Sequence, residues 1–182
     1  IDMYVQHKKE DCCGCSACMT ICPAKCITMK RDEEGFLYPE IDETKCLHCG
    51  MCQKVCDFNK IHDWDAMPQP KAYAAKQKSD LERAKSQSGG MFAALSDVVL
   101  EMGGVVYGAG YDEEWNVMHK RAETKEARDE MRGSKYVQSD MRDTFRRVLE
   151  DLSKGRTVLF SGTHCQCAGL RSLAEMRHAR TE

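Results

Sequence analysis

A duplicated cysteine spacing restricts this chain more than any other feature. Cys12, Cys15, Cys18 and Cys22 form a C-x2-C-x2-C-x3-C run, and Cys46, Cys49, Cys52 and Cys56 repeat it 34 residues later. Ten of the twelve cysteines fall within residues 12–56. Such density means either disulfide cross-links or metal ligation. Disulfides need an oxidising compartment, and the stretch before Cys12 carries no apolar signal core. Zinc favours two C-x2-C pairs separated by a longer loop, and a third cysteine at a further x2 has no place in one tetrahedral site. The run has the spacing that wraps a 4Fe–4S cube: three thiolates on one tight loop reach three irons, and the fourth cysteine points to the other cube. Cys12, Cys15, Cys18 and Cys56 then hold one cluster, and Cys46, Cys49, Cys52 and Cys22 hold the second, with zinc and disulfides as the alternatives. Gly14, Ser16, Ala17 and Gly50 are small enough for the loops to fold closely and aim backbone N–H groups at sulfur.

Charge is nearly balanced, with 27 Lys and Arg against 29 Asp and Glu. No basic excess exists to neutralise nucleic-acid phosphates, so nucleic acid is not an expected partner. No apolar run approaches the roughly 18 residues of a membrane span, and the expected location is cytoplasmic. Pro68 and Pro70 mark residues 65–70 as a stiff linker between domains at 1–68 and 71–182.

Local patterns place short strands at 26–30 and 35–39, joined by a turn at 32–35. Further on, a helix is expected over 89–102, with Met91, Phe92, Leu95, Val98, Val99 and Met102 as its apolar positions. Strands at 105–107 and 115–118 follow, then a helix at 124–132 with Thr124 as its cap. The last elements are a helix at 140–154 ended by Gly155, a strand at 157–160 and a helix from about 166. This alternation points to an α/β layer arrangement.

Residues 12–56, with Pro23 directly after Cys22, resemble a bacterial two-cluster ferredoxin domain; Asp57 stands where that family usually has a second proline. Cys13 and Cys26 lie off the pattern and read as structural, and His48 as a solvated loop residue. A second resemblance rests on Ser86-Gln87-Ser88-Gly89-Gly90-Met91-Phe92, Gly103-Gly104-Val105-Val106-Tyr107-Gly108-Ala109, Arg132-Gly133-Ser134-Lys135-Tyr136-Val137-Gln138-Ser139 and Phe160-Ser161-Gly162-Thr163-His164-Cys165-Gln166-Cys167. In this order they resemble the N-terminal portion of the β subunit of coenzyme F420 hydrogenase/dehydrogenase. The fold class expected is α+β, a small two-cluster ferredoxin-like domain followed by a truncated α/β domain.

That resemblance implies FAD beside the two 4Fe–4S clusters, and electron exchange with a redox partner protein or a small two-electron carrier in an anaerobe. Ser88, Gly89 and Gly90 at a helix N-terminus, with Gly133, Ser134, Lys135 and Tyr136, are the flavin-site candidates; a plain helix entry is the alternative at Gly89 and Gly90. Residues 108–110 lack the strand–GxGxxG–helix context of a dinucleotide fingerprint and take no cofactor role. Cys165 follows a buried strand and matches the cysteine of the family's Gly-Thr-Pro-Cys-Gln motif, a candidate iron–sulfur ligand. Here His164 replaces the proline and Cys167 an aliphatic residue. A structural cysteine and a Cys165/His164 nucleophile are the other readings, and no catalytic residue is assigned. Two functions compete: an iron–sulfur flavin oxidoreductase, and an electron-carrier module whose second part only docks a partner.

Overall fold

A computed structural model describes residues 9–61 and 69–178. The expected linker lies outside them, except for Gln69 and Pro70. The chain is α+β. Its first part runs α1 (Ala17–Ile21), β1 (Ile27–Arg31), β2 (Leu37–Ile41) and α2 (Met51–Val55). The strands pair antiparallel with Ile27 opposite Ile41 and Met29 opposite Pro39. Pro39 has no N–H for the ladder, which a two-stranded ribbon tolerates because each strand keeps an open edge. β1 is shifted by one residue from the expected 26–30, and β2 starts later than expected because Asp32 holds the residues before it in a turn. Its Oδ1 accepts from Glu34 N at 3.1 Å and Phe36 N at 2.9 Å.

The second part runs α3 (Asp80–Ala84), α4 (Met91–Glu101), β3 (Val105–Tyr111), β4 (Val117–Ala122), α5 (Lys125–Asp129), α6 (Thr144–Ser153), β5 (Val158–Phe160) and α7 (His164–Met176). The sheet order is β4-β3-β5, with β3 antiparallel to β4 and parallel to β5. Alternation along β3 sends Val105 and Tyr107 to one face, against Val148 and Leu152 of α6. It sends Val106 to the other, against Phe92 and Val99 of α4 and Met131. Helices therefore cover both faces of the central strand.

Several elements of the second part also depart from their expected bounds or faces; β3 runs on to Tyr111 and α5 ends at Asp129. The turn before β4 repeats the first one: Asp112 Oδ1 accepts from Glu114 N at 3.0 Å and Asn116 N at 2.8 Å. This keeps Trp115 in the turn and delays the strand to Val117. Asp140 does not open α6, because it bridges to β4 through Asp140 N to Val117 O at 2.9 Å and His119 N to Asp140 O at 3.1 Å. The apolar stripe expected on α4 is split, with Ala93 and Ser96 buried but Leu95, Val98 and Met102 exposed. Arg128, itself buried, explains the turn of the helix: its guanidinium donates to Ala93 O at 2.9 Å and to Ser96 Oγ, and pairs with Asp97 at 2.9 Å. Thr124 caps α5 as expected, accepting from Ala127 N at 3.3 Å.

One core joins the two parts. Ala17, Cys18 and Ile21 of α1, Ile27 of β1 and Val55 of α2 pack with Met141, Phe145 of α6 and Leu173 of α7. Within the second part, a polar tie holds α6 to β3 and β4. Tyr107 Oη donates to Asp151 Oδ2 at 2.6 Å, and Arg121 reaches the same carboxylate through Nε at 2.8 Å and Nη2 at 3.0 Å. Arg121 holds that carboxyl at about 2.

Two stability outcomes follow. Phe145→Ala should lower unfolding free energy by about 3–5 kcal/mol, against under about 1 kcal/mol for exposed Leu95→Ala, both read by denaturant titration. Asp151 is depressed on folding from an unfolded value of about 3.9. Its stabilisation, about 2 kcal/mol by linkage, is whole above about pH 4 and lost as pH falls through about 2. Asp151→Asn should flatten that part of an acid-unfolding curve.

Candidate metal centres and the adjoining cleft

The two cysteine runs fold into the same backbone. Gly14 and His48, two residues after the first cysteine of each run, are both left-handed, with φ 65° and 50°. Ser16 and Gly50, two residues further on, are left-handed too, with φ 69° and 70°. Each loop enters a five-residue helix, α1 or α2, and leaves on a cysteine in extended backbone, Cys22 (φ −64°, ψ 113°) or Cys56 (φ −70°, ψ 119°). Left-handed residues two apart turn neighbouring N–H groups inward, which makes a concavity for anionic sulfur. The two glycines are not equivalent. A Cβ on Gly14 would strike the Leu37 carbonyl oxygen and Gln138 Nε2, whereas nothing stands within 4 Å of one on Gly50.

Behind these loops lie two cavities. One, of about 20 Å³, is lined by Cys12, Cys13, Cys15, Cys18 and Cys56, together with Met29, Pro39 and Phe58. The other, of about 90 Å³, is lined by Cys22, Cys26, Cys46, Cys49 and Cys52, together with Ile27, Ile41 and Met51. Each therefore gathers three cysteines of one run and the last cysteine of the other, with one off-pattern cysteine beside them. Among the described residues no three His, Cys, Asp or Glu side chains converge as one metal ion requires. Four thiols spread around a cavity suit a cube, which offers a separate iron to each. Burial pushes the thiols of Cys12 and Cys52 up, and that of Cys18 to about 12. Binding iron must therefore release protons. Cys22 differs: burial raises it, but the N–H groups of Cys26, Ala24 and Lys25 and the Cys26 thiol, 3.4 Å away, hold it below the usual range.

A larger cleft, about 800 Å³, opens beside the first cysteine loop and the C-terminal end of β5. Ser88, Gly90, Gly133, Ser134, Lys135 and Tyr136 line it, and so do Cys165, Cys12 and Cys13. Gly89 does not; it packs on the chain behind, where a Cβ would lie 2.5 Å from the Ala75 carbonyl oxygen. The two candidate segments are tied to each other. Arg132 donates to Ser86 Oγ at 2.6 Å and Glu82 Oε2 at 2.5 Å, and Ser134 N donates to Gln87 Oε1 at 2.8 Å. Lys135 Nζ donates to the carbonyls of Arg132 (2.9 Å) and Gly133 (3.1 Å), and burial lowers its pKa. Phe36 and Tyr38 stand at this cleft rather than over either cysteine cavity.

Sequence reasoning passed over several lining residues. Gly108 and Ala109 line the cleft because β3 runs along it, although they form no dinucleotide fingerprint. His119 is buried, stacked on Phe160 with ring centroids 5.1 Å apart. Its Nε2 faces the Ser161 carbonyl at 3.1 Å, which can only accept, so that nitrogen carries the proton. Nδ1 then accepts from Ser139 Oγ at 2.7 Å, and Ser139 Oγ accepts from Gln166 Nε2 at 3.1 Å. Burial keeps this imidazole neutral by lowering its pKa. Alternation in β4 was the available signal for His119. Gln138 had none: its Oε1 accepts from Leu37 N at 2.7 Å and its Nε2 donates to Cys13 O at 3.4 Å.

One family and three relatives match the sequence. Residues 11–60 match the 4Fe–4S dicluster domain. The chain is 44% identical over 64 residues to NADH-quinone oxidoreductase subunit I 2 of Geobacter metallireducens, covering 32% of this chain and 49% of that protein. It is 36% identical over 61 residues to NADH-quinone oxidoreductase subunit I of Pelobacter propionicus, covering 29% and 33%. It is 33% identical over 72 residues to Ferredoxin 7Fe of Hydrogenibacillus schlegelii, covering 38% of this chain and 86% of that protein. The chain thus spans about half and a third of the length of the two subunits. None of these relatives is a coenzyme F420 hydrogenase. No helix among the described residues is long and apolar enough to cross a membrane.

Gly14→Ala should prevent the first loop from closing, because the Leu37 backbone cannot give way, and so reduce iron bound per chain by about half. Gly50→Ala carries the strain of a left-handed φ but no collision, as Ser16 does at the equivalent position, and should keep its iron. Iron and sulfide content after oxygen-free purification checks both.

Proposed function

We propose, from the premise that the chain belongs through residues 11–60 to the 4Fe–4S dicluster ferredoxins, that it passes electrons between its two clusters and a two-electron partner in the adjoining cleft. The observation that carries this reading is the sharing of Cys12, with its neighbour Cys13, between the first cysteine cavity and the cleft. Cys12, Cys15, Cys18 and Cys56 hold the cluster beside the cleft, and Cys22, Cys46, Cys49 and Cys52 the one further from it. Neither set needs Cys165.

A 4Fe–4S cube takes up and releases single electrons. The chain's own groups tune that exchange. Inward N–H groups of the two loops offset thiolate charge, and Met29, Pro39 and Phe58 keep water from the first cavity. A flavin, where bound, converts between single electrons and pairs. Ser88 and Gly90 bring the start of α4, with its first-turn N–H groups, against its diphosphate, and Lys135 offers a cation and Tyr136 an aromatic face. The cleft volume falls within the range of about 300–1,000 Å³ common for such sites. The resemblance of residues 71–175 to the F420 hydrogenase β subunit supports the same reading, with domains at 1–68 and 71–182 and a cytoplasmic setting.

A second reading, a carrier whose later residues dock a partner without binding a cofactor, is favoured by the names of the relatives, a ferredoxin and an oxidoreductase subunit. Oxygen-free purification with iron, sulfide and flavin measured together separates the two. Bound flavin, weakened at least tenfold by Lys135→Ala, supports the cleft; iron with no flavin affinity leaves the carrier. The ligand sets are tested by paramagnetic resonance: Cys12→Ser and Cys56→Ser should disturb one cluster, Cys22→Ser and Cys46→Ser the other. If Cys56→Ser disturbs the signal lost with Cys46→Ser, the crossing is wrong.

A further inference from the structure

Two cysteines outside the eight-ligand pattern meet where the first cysteine loop touches α7. Cys13 sits between Cys12 and Cys15, and Cys165 is the second residue of α7. Each thiol perturbs the other, and the Cys13 thiol is perturbed by Cys15 as well. Both are half-buried, and both line the large cleft. Packing fixes the meeting. Gly169 brings α7 so close to the loop that a Cβ there would lie 3.0 Å from Cys15 Sγ and 3.3 Å from Ala17 Cβ. Thr163 Oγ1, 3.1 Å from Cys165 Sγ, steadies one sulfur, and Gln138 Nε2, 3.4 Å from Cys13 O, steadies the backbone of the other. Neither cysteine belongs to the eight-cysteine pattern, yet Cys13 lines the first cysteine cavity and both face the cleft.

We propose that Cys13 and Cys165 are a redox-active pair that closes and opens a disulfide, collecting two electrons delivered singly by the clusters and passing them to a small disulfide substrate in the cleft. The pair rests on the dicluster reading and is independent of flavin. In the loading half, the Cys13–Cys165 S–S bond breaks as its sulfurs take two electrons, one from each reduced cluster, and two protons from cleft water, giving two thiols. In the unloading half, one thiol attacks the substrate S–S bond and releases the first substrate thiol. The second cysteine resolves the mixed disulfide, releases the second substrate thiol and restores the Cys13–Cys165 bond. Cys15 stands at the entry to this path because its thiol perturbs that of Cys13.

The test uses the full chain with both clusters loaded, free of oxygen, and hydroxyethyl disulfide as the probe. Exposure to the probe should yield a Cys13–Cys165 cross-linked peptide by differential alkylation and mass mapping. Reducing the clusters and removing excess reductant should then open that cross-link, with two reduced-cluster spins lost per bond opened. Cys13→Ser and Cys165→Ser should each abolish the cross-link and preserve the spins, with iron and sulfide content unchanged. Loss of iron in Cys165→Ser would make it a cluster ligand and overturn the pair. So would absence of the cross-link with iron intact, or a cross-link that reduced clusters leave closed. The dicluster reading itself fails separately, through an iron-free preparation.

Discussion

Each cysteine cavity is completed by a thiol from the opposite run, and that crossing governs the rest of the molecule. Cys22 must leave α1 toward the loop of Cys46, Cys49 and Cys52, while Cys56 leaves α2 toward Cys12, Cys15 and Cys18. The two loops can be brought together only if α1 and α2 pack side by side, which buries Ile21 and Val55 completely. Apolar packing and thiol placement therefore specify one arrangement: a shift of either helix would misplace a thiol and open the core. Agreement of this kind between levels marks a sequence that specifies one structure.

The same core extends into the later residues. Phe145 and Leu173 press α6 and α7 onto α1, so the start of α7 lies on the first cysteine loop. Gln138 holds the hairpin and the loop from the other side. The cleft is consequently walled on one flank by cysteines and on the other by the residues around α4 and 132–136. A cysteine-lined cavity and a ligand-sized space share a wall, which is the arrangement that the proposed exchange requires.

Local chemistry was legible wherever a single residue type decided the outcome. The Asp32 turn, the Thr124 cap and the Gly155 stop follow from side chains acting on backbone a few residues away. The α4 stripe was misread because apolar spacing records a helix but not its facing. A buried guanidinium from Arg128 drew Ala93 and Ser96 inward and left Leu95 and Val98 outside. The start of α6 was misread for a similar reason, since the backbone of Asp140 is claimed by β4. Neither long-range partner leaves a mark on local periodicity.

The sequence by itself determined the dicluster ferredoxin character, because cluster ligation is written in the intervals between cysteines on one short loop. It also marked Ser88, Gly90 and Lys135 as worth attention, though not as neighbours of Cys12. Only the tertiary structure decided that Gly89 turns away, that His119 and Gln138 belong to the cleft wall, and that Cys13 meets Cys165. The physical reason is reach: ligand spacing is set by bonds within a few residues, whereas a cleft is set by helices packed across more than a hundred.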